Sequence, residues 1–422
     1  MVFGLFVTFI FLFYLITNFK KGVVLTGMTI QFLSYLGTGI PKIKIYTILV
    51  CAMVCVYWLN RKKFCHSNHY PKLLVYSSLL FSFSFLLSEI YTRTDHHWLT
   101  IISNIITYFI FPFYLWKSLD SEKNLRYALK LLTIMMGISF VFCILELAFS
   151  QNHFTNVVSE LFVVEDWMEV REDVRFGIKR CNSIFAWYMP FGLFASCCFI
   201  LFFILYYKLK FRINNATLLL LMGLFMSWAS GSRAVLLGLI VAISILIISR
   251  KTLKGFLKPR TILFLLVLSP LILIFLYQFF DSIIYSDTTK YAAGSNREMR
   301  LNQWAICLPY ILQSPWIGNG RMYIWDVVSP ANYELYGAES IWFSIFIDYG
   351  IVGAIVFVFL LFSCAFYLFK IEKTWICLPI AYLITLSFSP DQGATYNILL
   401  TFTILLMKSH CFLFRKMELN KV

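Results

Sequence analysis

Apolar positions along this chain run in blocks of roughly 16 to 25 residues, about the length of helix that spans the hydrocarbon core of a bilayer. The blocks recur from one end to the other, at 2–18, 23–38, 44–60, 73–91, 98–116, 126–149, 183–206, 216–231, 233–249, 261–280, 341–369, 374–389 and 394–408. The pattern predicts an all-α polytopic membrane protein with about twelve or thirteen transmembrane helices. The second block is short and carries polar residues, which leaves the side of the N-terminus open. The first, VFGLFVTFIFLFYLITN, ends at Lys20-Lys21. Its charge follows the apolar stretch and no small-residue cleavage site comes after, so it reads as a retained helix and not a signal peptide.

The links between blocks are of two kinds. RKKFCHSNHYPK (61–72), KSLDSEKNLR (117–126), KLKFR (208–212), RKTLKGFLKPR (250–260), KIEK (370–373) and the C-terminal tail are basic. The positive-inside rule makes them cytoplasmic. The remaining links alternate with them, and two are long, 150–182 and 281–340, each with slightly more acids than bases. Loops of such length in a compact membrane protein are usually functional. The expected organisation is therefore N-terminal transmembrane helices over 1–149, an outer loop at 150–182, central helices over 183–280, a large outer loop at 281–340, and C-terminal helices with a cytoplasmic tail over 341–422.

Composition agrees with the pattern. The 422 residues are 60% hydrophobic and 14% charged, where soluble domains carry about a quarter charged residues. The 44 phenylalanines suit a surface that faces lipid. The net charge of +15 gathers in the short links. It is a topology signal and not the footprint of a nucleic-acid partner. Cysteines such as Cys51, Cys55, Cys197 and Cys198 lie inside apolar blocks and read as packing residues, with no zinc or disulfide framework.

One link breaks the charge rule. In WASGSRAVLLGLIV (228–241) a tight turn, Ser230-Gly231-Ser232-Arg233, joins two blocks on the side away from the basic links. Arg233 has two readings. It can snorkel to the headgroups, where an arginine escapes the insertion cost of about 2.5–3.5 kcal/mol at the bilayer centre. It can instead form an anion site, most simply for the phosphates of a lipid-linked substrate, which its planar fork suits. More basic residues share that side: Arg171, Arg175, Lys179 and Arg180 precede one block, and Arg297, Arg300 and Arg321 lie in the second long loop. Arg297, Arg300 and Trp304 stand three and four apart, so they can share a helix face that offers two guanidinium groups and an aromatic ring to a diphosphate beside a sugar. The plainer reading pairs these arginines with Glu172, Asp173 and Glu298 on a solvated surface. PWIGNG (315–320) contains G-x-G but no strand–helix unit surrounds it, so it reads as a turn and not a dinucleotide fingerprint.

Glu339 and Ser340 stand just ahead of the block at 341–369. A carboxylate at the lip of a membrane cavity can serve as a general base. The alternative is that Glu339 and Ser340 cap the helix that follows.

With these residues in place, the chain resembles the O-antigen ligase and O-antigen polymerase superfamily of bacterial surface glycan assembly. The resemblance rests on the Ser-Arg pair opening an apolar helix (Ser232, Arg233) and on R-x-G-x-x-x-x-N-x-x-x-A (Arg175, Gly177, Asn182, Ala186). It also rests on R-x-x-x-W followed by P-x-x-G-x-G (Arg300, Trp304, Pro315, Gly318, Gly320), and on a polar pair before acid-x-G-aliphatic-aliphatic-G (Glu339, Ser340, Asp348, Gly350, Gly353). It covers roughly 170–370; the N-terminal blocks match only in hydropathy. Ligases of the superfamily carry His-Asn where this chain has Glu339-Ser340, and that histidine is their proposed catalytic residue. Glutamate there resembles the polymerases.

The resemblance implies a GT-C-like glycosyltransferase architecture in the bacterial inner membrane, with the two long loops periplasmic and no metal or other cofactor. The donor would be a growing glycan on undecaprenyl diphosphate and the acceptor a single repeat unit on the same carrier. Glu339 would be the catalytic base. Arg233 and Arg300 would bind the diphosphate, with Arg175 or Arg180, Arg297, Trp304, Ser232 and Ser340 as further substrate-binding candidates. Partners would be the lipid-linked oligosaccharide, the bilayer and a chain-length regulator. The alternatives are a ligase that transfers lipid-linked glycan to lipid A–core, a lipid-linked glycan transporter, and a non-catalytic scaffold. Transporters usually show inverted repeats, and no second copy of the GSR hairpin or of the long loops is present.

Overall fold

Apolar blocks this long cannot leave backbone N–H and C=O groups bare in hydrocarbon, so each closes its hydrogen bonds within itself as a helix. The computed structural model of the chain describes residues 2–33, 36–37, 44–61, 69–161, 163–164, 174–175, 178–211, 215–248, 297–332, 335, 339–389 and 395–419. Over the blocks run α1 (Val2–Thr17), α2 (Phe19–Leu33), α3 (Ile45–Leu59), α4 (Lys72–Ile90), α5 (Trp98–Ser118) and α6 (Glu122–Phe149). After α7 (His153–Leu161) come α8 (Tyr188–Lys208), α9 (Ala216–Ala229) and α10 (Arg233–Ile248). The C-terminal part holds α11 (Arg297–Gln313), α12 (341–349), α13 (Gly350–Ile371), α14 (Cys377–Ser387) and α15 (Thr395–Leu419). The block at 261–280 and the basic link at 250–260 lie outside the described residues.

The chain is an all-α polytopic membrane protein. Among the described residues, six stretches are long and apolar enough to cross a bilayer: α4, α5, α6, α8, Ile341–Ile371 and Tyr396–Leu413. The apolar helices α1, α3, α9, α10 and α14 are shorter. Phe6, Phe9, Phe13, Leu79, Phe83, Ile355 and Phe362 face outward, as a lipid-facing surface requires. Among the described residues two short antiparallel pairs join loops: β1 (Leu36–Gly37) with β2 (Val163–Val164), and β3 (Val174–Arg175) with β4 (Ile178–Lys179).

Contacts sort the helix ends into two sets. At one end Lys20 pairs with Asp120, Lys208 pairs with Glu372 at 3.3 Å, and the Lys408 ammonium lies 4.0 Å over the Trp116 ring. These residues flank the basic links. At the opposite end the Cys181 N–H donates to the Ala229 carbonyl (3.0 Å), the Arg93 N–H donates to the Asn319 carbonyl (2.9 Å), and Trp342 Nε1 donates to Ser387 Oγ (3.0 Å). The GSR turn and the described parts of both long links belong to this second set, called here the motif end.

Helix α2 joins the two ends. Lys20, at its start, is paired at the basic end, and β1, beyond its last residue, pairs with β2 in the link after α6. The second block therefore runs between the two ends, which the sequence left open, and Val2 stands at the motif end. Thr26 and Thr29 make the polar block tolerable by donating their hydroxyls to Gly22 and Leu25 carbonyls of their own helix (both 2.9 Å).

Helix α8 is central and almost wholly buried. Helix α10 runs antiparallel along α14, closely enough that a Cβ at Gly238 would lie 2.7 Å from the Ala381 carbonyl oxygen. The described part of the second long link is folded. Cys307, Tyr323, Ile324, Val328, Leu335, Phe343 and Ile347 form a small core of their own, so α11 and the turns after it fold as a cap on the motif end.

Candidate active site

The GSR turn is shaped by what packs on it. Gly231 has φ +61, and a Cβ there would lie 2.7 Å from Arg180 Cγ. Only glycine combines that backbone with a side chain pressed against it. The Arg180 guanidinium lies 4.0 Å over the Tyr188 ring, and Arg180 is only 5% exposed. Ser232 is buried, and its Oγ accepts the Val235 N–H at 3.4 Å, an N-cap on α10. Arg233, the first residue of that helix, is half-buried. The fold thus brings Arg180 and Arg233 to one turn. The N-terminus of α10 adds the partial positive charge of its unsatisfied N–H groups. Arg175 sits in β3 opposite Ile178 of β4, on the hairpin that leads into Arg180.

Glu339 and Ser340 open α12. Ser340 Oγ accepts the Trp342 N–H at 3.3 Å, a cap on α12, and Glu339 stands half-buried just before it. Trp342 reaches Ser387, the last residue of α14. Since α14 runs along α10, the start of α12 and the start of α10 meet at the same end of that helix pair. Trp304 of α11 packs edge-on against Phe343, with ring centroids 4.6 Å apart, and stays 44% exposed. The α11 backbone carries Arg300 and Arg297 at the helical spacing read from the sequence.

The two glycine motifs interlock. The Asn319 N–H donates to the Ile347 carbonyl (2.8 Å), and the Ile351 and Val352 N–H groups donate to the Pro315 and Trp316 carbonyls (2.8 and 3.0 Å). A Cβ at Gly318 would lie 2.3 Å from the Asp348 carbonyl carbon, and one at Gly350 would lie 2.5 Å from the Trp316 carbonyl carbon. P-x-x-G-x-G is a turn, as its lack of a surrounding strand–helix unit indicated, and its partner is the D-Y-G segment. The buried Asp348 carboxylate accepts the N–H groups of Met322 (3.0 Å) and Ile324 (3.1 Å). Arg321 donates to the Tyr349 hydroxyl (2.7 Å). His97 Nε2 meets the Asp326 carboxylate at 2.8 Å, tying the link between α4 and α5 to the cap.

Sequence reasoning gave Arg321 no role, used Asp348 only as a motif position, and passed over His97 and Asp326. An acid inside an apolar block is itself a signal of a bonded, specific position, and it singles out Glu89, Glu146 and Asp348.

Residues 216–358 match the family described as O-antigen ligase. The match takes in the GSR turn, α11, the interlocked glycine motifs and Glu339, so the resemblance carried by those motifs holds over this segment. Over those residues the chain is similar to that family, which is consistent with a membrane protein of the O-antigen ligase and polymerase superfamily. The segment with Arg175 and Arg180 precedes the match. No curated protein matches the chain.

Proposed function

We propose that the protein polymerises undecaprenyl-diphosphate-linked oligosaccharide repeat units at the periplasmic face of the bacterial inner membrane. The observation that carries this reading is the gathering of Arg180, Arg233 and the Glu339-Ser340 helix start at one end of the bundle, away from the basic links. The positive-inside rule makes that end periplasmic.

The donor's diphosphate binds at the GSR turn. Arg233 provides the bidentate fork and the α10 N-terminus adds its N–H groups. Arg180 contributes positive charge from behind the turn, and the α11 backbone carries Arg300 and Arg297 in the cap. An acceptor hydroxyl oxygen attacks the donor's anomeric carbon. The bond from that carbon to the diphosphate oxygen breaks, and its electron pair leaves with undecaprenyl diphosphate. The hydroxyl proton passes to the Glu339 carboxylate. Arginines placed where charge develops supply the electrostatic stabilisation that a metal supplies in other transferases. A positioned base adds about 10²- to 10⁴-fold. Trp304 offers a flat apolar face to a sugar ring.

A second reading, ligation to lipid A–core, fits the same family match. Glu339 in place of the ligases' histidine favours polymerisation. Glu339→Gln separates the two. Glutamine keeps the size but cannot take a proton. A polymerase variant leaves single repeat units on the final acceptor, because a distinct ligase performs that step. Surface glycan of single units with no long chains is the expected result. Loss of all surface glycan, with polymer kept on the lipid carrier, would establish the ligase, and normal long chains would remove Glu339 as the base.

A further inference from the structure

Arg180 can act on the GSR turn only while the segment 179–183 is held against it, and that segment has no regular helix or sheet beyond β4 to hold it. One buried carboxylate takes two of its backbone N–H groups. Glu146 lies in the last turns of α6, 1% exposed, and its Oε2 accepts the backbone N–H groups of Asn182 (3.0 Å) and Ser183 (2.8 Å). Asn152 closes the arrangement. Its Nδ2 donates to Glu146 Oε2 (3.4 Å) and to the Ser183 carbonyl (2.9 Å), while its Oδ1 accepts the Thr155 N–H (2.9 Å). Ser183 Oγ donates to the Ser139 carbonyl (2.6 Å), and Lys179 Nζ donates to the Ser150 carbonyl (2.7 Å). On its other side the segment gives the Cys181 N–H to Ala229, beside the GSR turn.

A nearly buried acid at the end of a membrane helix is costly, and such residues are held where their bonds serve a purpose. Two successive N–H groups on one carboxylate oxygen fix the chain direction at Asn182 and Ser183, and therefore the point from which Arg180 leaves the backbone. Charge-assisted bonds of this kind are about twice as strong as neutral ones. We infer that Glu146 is a positioning residue for the diphosphate site, holding Arg180 over Gly231 through the backbone of 182–183. The inference rests on the proposed role of Arg180 at that site.

The test is a double-mutant cycle on the purified, detergent-solubilised full chain, with undecaprenyl diphosphate as the probe and intrinsic tryptophan fluorescence as the readout. Arg180→Ala should weaken binding about tenfold or more, as loss of one arginine from a charged site does. Glu146→Gln keeps the shape but removes the charge, and should weaken binding about three- to tenfold when Arg180 is present. In the Arg180→Ala background the same change should have less than about a twofold effect, because residues acting through one another are not additive. Equal weakening in both backgrounds, or none in either while Arg180→Ala weakens binding, would overturn the positioning role and leave the site standing. Binding unchanged by Arg180→Ala would instead remove Arg180 from the diphosphate site. If Glu146→Gln does not yield monodisperse protein, Asn152→Ala runs the same cycle. It removes the amide that ties Glu146 to the Ser183 carbonyl, and the same outcomes decide.

Discussion

Arg233 sits where an arginine can either reach headgroups or grip a substrate, and the two roles respond differently to substitution. A snorkelling side chain is replaced by lysine without loss. A bidentate fork is not, because an ammonium is a point charge. At unchanged protein level, Arg233→Lys is expected to lower glycan polymerisation about tenfold, and Arg233→Ala about a hundredfold. Chain-length analysis of the surface glycan reads both, and normal chains from Arg233→Ala would return the residue to the interface. At this scale the sequence was legible where chemistry and position coincide. Arg233 broke the charge rule, and the serine beside Glu339 had the identity of a helix cap. It was silent on Arg180 lying against the turn, because that placement comes from contacts between segments distant in the chain. The role of Asp348 was equally hidden. Its partners are the backbone N–H groups of 322 and 324, which converge on it only once the cap has folded.

The interlock of the glycine turn after α11 with the α12–α13 junction is what makes the cap a fixed element. Asp348 holds two N–H groups, that of Ile324 buried and that of Met322 partly so, and removing it takes the acceptor from both. Asp348→Ala is therefore expected to destabilise the cap by roughly 2–4 kcal/mol. Gly350→Ala brings a Cβ to 2.5 Å from the Trp316 carbonyl carbon at φ +66, and is expected to cost roughly 2 kcal/mol or more. Limited proteolysis of the detergent-solubilised protein checks both: cleavage within 297–335 should become faster, while the helix bundle stays intact. Cleavage no faster than in the wild type would contradict the interlock. Helix positions were readable from block length and α11 from its arginine spacing. The cap's small core was not, because it is built from residues scattered over Cys307 to Ile347 without a period.

Across the whole molecule, the separation of a basic end from a motif end turns the topology expectation into a labelling pattern. Single cysteines introduced at exposed cap positions such as Asn302 or Ala305 should react with an impermeant maleimide in cells with a permeabilised outer membrane. One placed in the link at 250–260 should not, and the reverse pattern would invert the scheme. Native thiols at the motif end give little background. Burial pushes the Cys307 thiol up to about 12. A hydrogen bond with Cys143, together with burial, pushes the Cys181 thiol up. Near neutral pH both stay protonated, and the thiolate is the reactive form, so they should label only after denaturation.

The most direct test of the proposed polymerase is reconstitution. The purified chain is placed in vesicles with the undecaprenyl-diphosphate-linked repeat unit extracted from cells lacking the protein, as the sole glycan and in the presence of a chelator. A ladder of longer glycans on the lipid carrier, lost with Glu339→Gln and with Arg233→Ala, is the predicted result. A repeat unit that is never extended, and is transferred only when lipid A–core is added, would contradict it.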